Sequence, residues 1–188
     1  GTGDPELGTL IPDRVFRNAE GRFFQDVTTS GGFGHLQKGH GVSFADLDSD
    51  GDEDIYHVVG GAFEADTFRN ALFENPGNRN HWIVLKLEGT RSNRPGIGAR
   101  IKVVVQEGGA LRSIHRTVRS GGSFGSSPLR QQIGLGNSER IVKVEIQWPS
   151  GSPTQVLEGL QSDRHYRVRE GDSRAVPIPL QRFKLGGP

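Results

Sequence analysis

The chain has no cysteine and no methionine in 188 residues, and only two tryptophans and two tyrosines. Without cysteine there is no disulfide scaffold and no thiolate site for structural zinc, although secretion stays open. Without methionine, residue 1 is not an initiator, and the opening GTGDPELGTL reads as the start of a processed product, a fragment or an excised domain. Net charge is scarce as well: 23 basic against 22 acidic residues leave +1, which argues against a nucleic-acid binder. No run of eighteen apolar residues occurs, so no helical membrane span is expected. Glycine, by contrast, is abundant at 28, with 10 prolines and 32% hydrophobic residues in short alternating runs. That pattern predicts many strands and many turns, in a chain long enough for one or two small domains with cores of their own.

Charge is concentrated in one place. DLDSDGDEDIY, Asp46 to Tyr56, holds five aspartates and one glutamate in eleven residues and runs directly into an apolar strand. Like charges this dense must stay solvated or be neutralised by a cation. Asp46, Asp48 and Asp50 alternate with other residues, Gly51 takes the sixth position, and Asp54 closes a D-x-D-x-D-G-x-x-D pattern. Alternate residues of a tight loop turn their carboxylates inward, glycine permits the bend, and Ca²⁺ takes about six to eight such oxygens, whereas Mg²⁺ prefers to keep its waters. The spacing therefore predicts a calcium loop with Asp46, Asp48, Asp50 and Asp54 as side-chain ligands and Asp52 giving its backbone carbonyl. An EF-hand needs a bidentate Glu at the twelfth position, where this sequence has His57, and the flanks GVSFAD and IYHVVGG favour strands over helices.

Elsewhere the chain reads as β-structure throughout. Val15 to Asn18 and Arg22 to Val27 flank Ala19-Glu20-Gly21 as a hairpin, and a glycine-rich loop, SGGFGHLQKGHG, leads into the strand before the acidic loop. Asn75-Pro76-Gly77 signals a turn and a boundary near Asn78. Beyond it, Ile83, Leu85 and Leu87 share one face of a strand against Trp82, Val84, Lys86 and Glu88, and Ile101, Val103 and Val105 do likewise in the next. Val142, Val144, Ile146 and Trp148 alternate against Lys143, Glu145 and Gln147, Thr154 to Leu157 follows a Pro-Ser-Gly turn, and HYRVRE is the last strand. A period of two without helical periodicity predicts an antiparallel β-sandwich.

These segments carry a resemblance. VFRNAEGRFFQDVT followed by GHGVSFADLDSDGDEDIYHVVGG resembles a single integrin-type FG-GAP repeat, also called a VCBS repeat. NHWIVLKLEGTRSNRPGIGARIKV, RTVRSGGSFGSSPLRQQIGLG and VEIQWPSGSPTQVLEGLQSDRHYRVREG resemble, in order, an ASPIC/UnbV domain of the cartilage-acidic-protein-like family. The resemblance implies an all-β chain with a 1–13 arm, an FG-GAP/VCBS-like calcium-binding β unit at 14–78, an ASPIC/UnbV-like β-sandwich at 79–171 and an extended tail at 172–188. It implies a secreted or cell-surface, calcium-binding, non-enzymatic protein, with Asp46, Asp48, Asp50, Asp52 and Asp54 on the metal. Such repeats usually come several to a chain, so a lone one is expected to dock on the sandwich and leave an apolar face or edge for a protein partner. The tail AVPIPLQRFKL suits addition to a sheet edge of another molecule, which would make the chain a homo-oligomer or polymer.

Other features point less far. His35 and His40 lack a third ligand in sequence and read as surface residues. SGGSFGSS and GIGAR lack the setting of a phosphate loop, and Ser123, Ser126 and Ser127 lack a nucleophile elbow. Glu64, Asp66 and Glu74 are candidates for a further calcium ligand, and the arginines at 91, 94, 100, 112, 116 and 119 read as a solvated face open to an acidic surface or polysaccharide. The alternative to an interaction module is a carbohydrate-binding or adhesion module of a larger secreted protein, which would group exposed aromatics such as Trp82 or Tyr56 near the metal or on one sheet face.

Overall fold

The computed structural model describes residues 11–61, 67–122, 126 and 128–185. Glu64, Asp66, Ser123, Ser127 and most of the N-terminal arm lie outside the described residues. Among those described every regular element is a strand, as the sequence predicts, and none is a helix that could cross a membrane. Contacts divide the chain into two compact units: Gly1–Ser43, Tyr56–Phe73 and Gly122–Gly125 form the first, and Phe44–Ile55, Glu74–Gly121 and Ser126–Pro188 the second. The acidic loop is thus counted with the second unit.

Seven strands begin the chain: β1 (Ile11–Pro12), β2 (Phe16–Ala19), β3 (Phe23–Asp26), β4 (Leu36–Gln37), β5 (Gly39–Ala45), β6 (Asp54–Val59) and β7 (Ala71–Phe73). β2 and β3 form the expected hairpin, with Glu20 and Gly21 both at positive φ and Arg22 N–H donating to Ala19 O at 3.0 Å. Those two positive φ values are what a tight turn matched to strand twist requires. The hairpin carries Phe16, Phe23 and Phe24 at 56%, 62% and 70% exposure. β1 pairs antiparallel with β4, and β5, β6 and β7 follow one another in a three-stranded sheet.

The remaining strands are β8 (His81–Glu88), β9 (Arg100–Glu107), β10 (Ala110–Thr117), β11 (Gln131–Gly136), β12 (Arg140–Gln147), β13 (Gln155–Leu157), β14 (Arg164–Arg169) and β15 (Val176–Ile178). They make two four-stranded sheets, ordered β10-β9-β12-β13 and β11-β8-β14-β15. One core joins the inner faces: Ile83, Leu85 and Leu87 of β8, Ile133 and Leu135 of β11 and Val168 of β14 meet Ile101, Val103 and Val105 of β9 and Val144 and Ile146 of β12. Burying each such side chain contributes about 1.5–3 kcal/mol, so this face holds the sandwich together. All pairings are antiparallel except β8 with β14, which run parallel.

Three details depart from simple alternation. β12 was expected to bury Val142, yet Ile141 is in the core and Val142 is half-buried, because the register shifts between Ile141 and Lys143. A bulge there inserts one residue and flips the face of everything before it. Trp82 and Val84, assigned by alternation to the outer face of β8, are buried as well. Finally, part of the apolar tail, expected to add to a sheet edge of another molecule, lies on its own chain: β15 pairs antiparallel with β14, Tyr166 opposite Pro177.

Candidate metal centre

Residues 46–53 connect β5 to β6, and the loop is wound by its own carboxylates. Asp50 N–H is shared between Asp46 Oδ1 and Asp48 Oδ1, each at 3.1 Å, and Asp52 N–H donates to Asp50 Oδ1 at 3.1 Å. Aspartates do this readily because their short side chains reach backbone two residues away. Two residues then turn through the left-handed region, Ser49 (φ 63°) and Gly51 (φ 109°). At Gly51 space is as restrictive as conformation, since a Cβ there would collide with the Trp82 indole. Trp82 itself is 7% exposed, so its ring serves as the floor of the loop rather than as a stacking surface.

The outcome is that Asp46, Asp48 and Asp50 come together, each offering a carboxylate oxygen within 4.8 Å of the others. Asp52 and Asp54 are not in that cluster. Asp54, 2% exposed, takes Leu47 N–H at 3.0 Å and Asn75 N–H at 2.9 Å, closing the loop's ends and anchoring the Asn75-Pro76-Gly77 turn. Side chains at and just before the start of β11 grip the loop: Arg130 Nη2 donates to Asp46 O at 2.8 Å and Gln132 Nε2 to Gly51 O at 2.6 Å. From the tail, Phe183 N–H donates to Asp48 O at 3.0 Å. Sequence reasoning had no signal for these three partners, which lie far along the chain.

Electrostatically the loop is strained without a counter-ion. At such separations two carboxylates repel by on the order of 3 kcal/mol even with an effective dielectric of about 20. Burial pushes the Asp46 carboxyl up, and burial followed by the charges of Asp50, Asp54, Asp48 and Asp46 pushes Asp52 up to about 6. Burial raises Glu53 as well. Three buried oxygens at the loop find no hydrogen-bond donor among the described residues: Asp46 Oδ2, Asp52 Oδ1 and Gln132 Oε1. A set of oxygen donors alone, crowded and partly dehydrated, fits a hard dication such as Ca²⁺ and not a metal that wants imidazole or thiolate. Asp46, Asp48 and Asp50 are the residues placed to hold it.

One other donor group occurs among the described residues, Asp13, His35 and His57, in the first unit. His35 and His40 are both exposed, as expected, but His35 is not isolated.

The sequence blocks that carry the ASPIC/UnbV resemblance converge on a second acidic residue with a different fate. Glu170, 5% exposed at the end of β14, accepts Thr90, Arg91 and Ser92 N–H on Oε2 at 2.9, 2.8 and 2.8 Å. Its Oε1 accepts the hydroxyls of Ser92 at 2.9 Å, Ser150 at 2.6 Å and Ser152 at 3.4 Å. Burial alone would raise this carboxyl, but the Ser150 hydroxyl and the Ser92, Arg91 and Thr90 amides outweigh it and hold Glu170 far below the usual carboxylate range. Asn93 closes the same loop, its Oδ1 taking Ile97 N–H at 2.7 Å and its Nδ2 donating to Ile97 O at 2.8 Å. The SNR and WPSG blocks therefore build a polar knot that joins both sheets, and Glu170 has no lone pair left for a reacting group.

No curated protein matches the chain. Residues 89–175, from the loop that caps Glu170 to the residue before β15, match the family model described as ASPIC and UnbV.

Proposed function

We propose that the chain is a calcium-stabilised, non-enzymatic interaction module that works outside the cell. The observation that carries this reading is the set of three buried oxygens that find no donor among the described residues, Asp46 Oδ2, Asp52 Oδ1 and Gln132 Oε1, around a loop whose carboxylates already crowd one another. The D-x-D-x-D-G-x-x-D spacing and the strand flanks support an FG-GAP/VCBS-type repeat around the loop, outside the ASPIC/UnbV match. Extracellular modules of this type work with dissociation constants of about 10⁻⁴ to 10⁻³ M, which suits the millimolar calcium found outside cells. The partner is a protein, a second copy of the chain being the first candidate, and the exposed Phe16, Phe23 and Phe24 offer the apolar surface such contacts use.

A carbohydrate-binding or adhesion role is the second reading. It is favoured by a concavity of about 810 Å³ beside the loop, lined by polar groups including Asp52, Asn80, His81, Arg116 and Asp163. Against it stands the burial of Trp82, which lines the concavity but, at 7% exposure, presents little of its indole to a sugar ring.

Calorimetric titration with Ca²⁺, paired with light scattering in millimolar calcium and after chelation, tests the proposal. One calcium per chain with a rise in melting temperature, and larger species that dissolve on chelation, are the expected results. A hundredfold excess over the dissociation constant stabilises the fold by about 2.7 kcal/mol. Absence of any calcium-dependent heat or thermal shift at 10 mM would end the calcium reading, and calcium binding by a strictly monomeric chain would move the search to foreign partners.

A further inference from the structure

We propose that Asp13, His35 and His57 form a second metal site, for a borderline transition-metal dication of the Zn²⁺ class, chemically distinct from the acidic loop. The three residues each present one ligand atom within 4.8 Å of the other two. The fold brings them together by strand register. β1 and β4 pair Ile11 with Gln37 and Pro12 with Leu36, so Asp13 and His35 lie just beyond the same end of this short ladder. His57 arrives from β6, 8% exposed, with Nδ1 2.9 Å from Asp13 Oδ2.

The surroundings are shaped for an imidazole. A Cβ on Gly39 would stand 2.5 Å from His57 Nε2 and 3.4 Å from Asp13 Oδ1, so any other residue there would fill the space these groups use. The His35 ring rests against Phe73, with centroids 5.8 Å apart, and Phe73 is backed by Phe33 at 4.9 Å. Aromatic packing fixes the ring's direction, which is what a metal ligand needs. Two imidazoles and one carboxylate form a three-ligand set that leaves a coordination position open, the composition that Zn²⁺, Co²⁺ and Ni²⁺ accept and that Ca²⁺ does not favour. In sequence His35 lacked a third ligand; Asp13 and His57 supply it from 22 residues on either side.

The test uses the untagged full chain in millimolar calcium, so that the acidic loop is saturated, titrated with Co²⁺ and followed by its visible absorption. One equivalent of Co²⁺ bound with d–d bands and displaced by Zn²⁺ is the expected result. His35→Gln and Asp13→Asn should each weaken Co²⁺ binding by about 10- to 100-fold. Because His35 is exposed, His35→Gln should keep the metal-free melting temperature of the parent. His115→Gln, on the exposed face of β10, should bind as the parent does. Three results would each overturn the proposal: no absorption band up to 1 mM Co²⁺, unchanged affinity in both site variants, or displacement of Co²⁺ by calcium alone.

Discussion

Replacing Glu170 by alanine removes the acceptor for six hydrogen bonds that tie the 90–92 loop and the 150–152 turn to the end of β14. Hydrogen bonds to a charged group contribute about 1.5–3 kcal/mol each but are not additive, and removing the acceptor of a buried charged network costs about 3–5 kcal/mol. Taking about 4 kcal/mol for Glu170→Ala, the melting temperature should fall by about 12 °C. Glu170→Gln keeps the shape and can turn its amide toward the serine hydroxyls, which are able to accept. It loses only the charge, and about 2 kcal/mol or 6 °C is expected. Circular dichroism melts with and without calcium make the measurement, and the loss must be the same in both, because the knot and the acidic loop share no residue. The sign of the pH dependence is fixed. Since the folded carboxyl titrates below its unfolded value of about 4.3, the stabilisation is present above that pH and is lost as pH falls below it. The gap between parent and glutamine variant should therefore close in acid. A Glu170→Ala protein melting within 2 °C of the parent at pH 7 would refute the reasoning.

Gly51→Ala should cost calcium affinity at least tenfold by calorimetry, since its Cβ collides with Trp82 at a backbone φ of 109°. The β12 bulge predicts that Ile141→Ala costs about 2–4 kcal/mol in denaturant melts while Val142→Ala costs under about 1, and equal effects would contradict the register. Burial, and then the charge of Arg130, opposes protonation of His165. Its folded pKa lies below the unfolded value of about 6.5, so stability should decline as pH drops through that value, and His165→Phe should flatten that part of the stability profile.

The acidic loop was legible because its information is local. Spacing of two between aspartates and a glycine at the sixth position set ligand direction and bend within nine residues, and Asp46, Asp48 and Asp50 do converge. Alternation placed the core residues of β8 and β9 correctly, since both faces of a sandwich strand follow a period of two. It failed at Val142, because a bulge is set by the partner strand, and at Trp82, because the loop that covers it comes from thirty residues earlier. β10 was hidden by a run that alternates little and is largely exposed, and β11 by glycines at both 134 and 136. Asp13, His35 and His57 could not be joined in sequence, as only the β1–β4 ladder and the arrival of β6 make them neighbours. Asp54 shows a subtler limit: spacing marked it as a ligand, while the fold also spends its oxygens on two backbone amides.

The parallel pairing of β8 with β14 bears on how this protein is best cut for expression. The family match begins at residue 89, one residue after β8 ends, and stops at 175, one residue before β15 starts. A clone trimmed to those limits would carry β14 without either of its neighbours and β11 with no neighbour at all, leaving one face of Ile101, Val103, Val105, Val144 and Ile146 open to water. A clone meant to keep the sandwich intact must therefore carry both the central strand β8 and the edge strand β15.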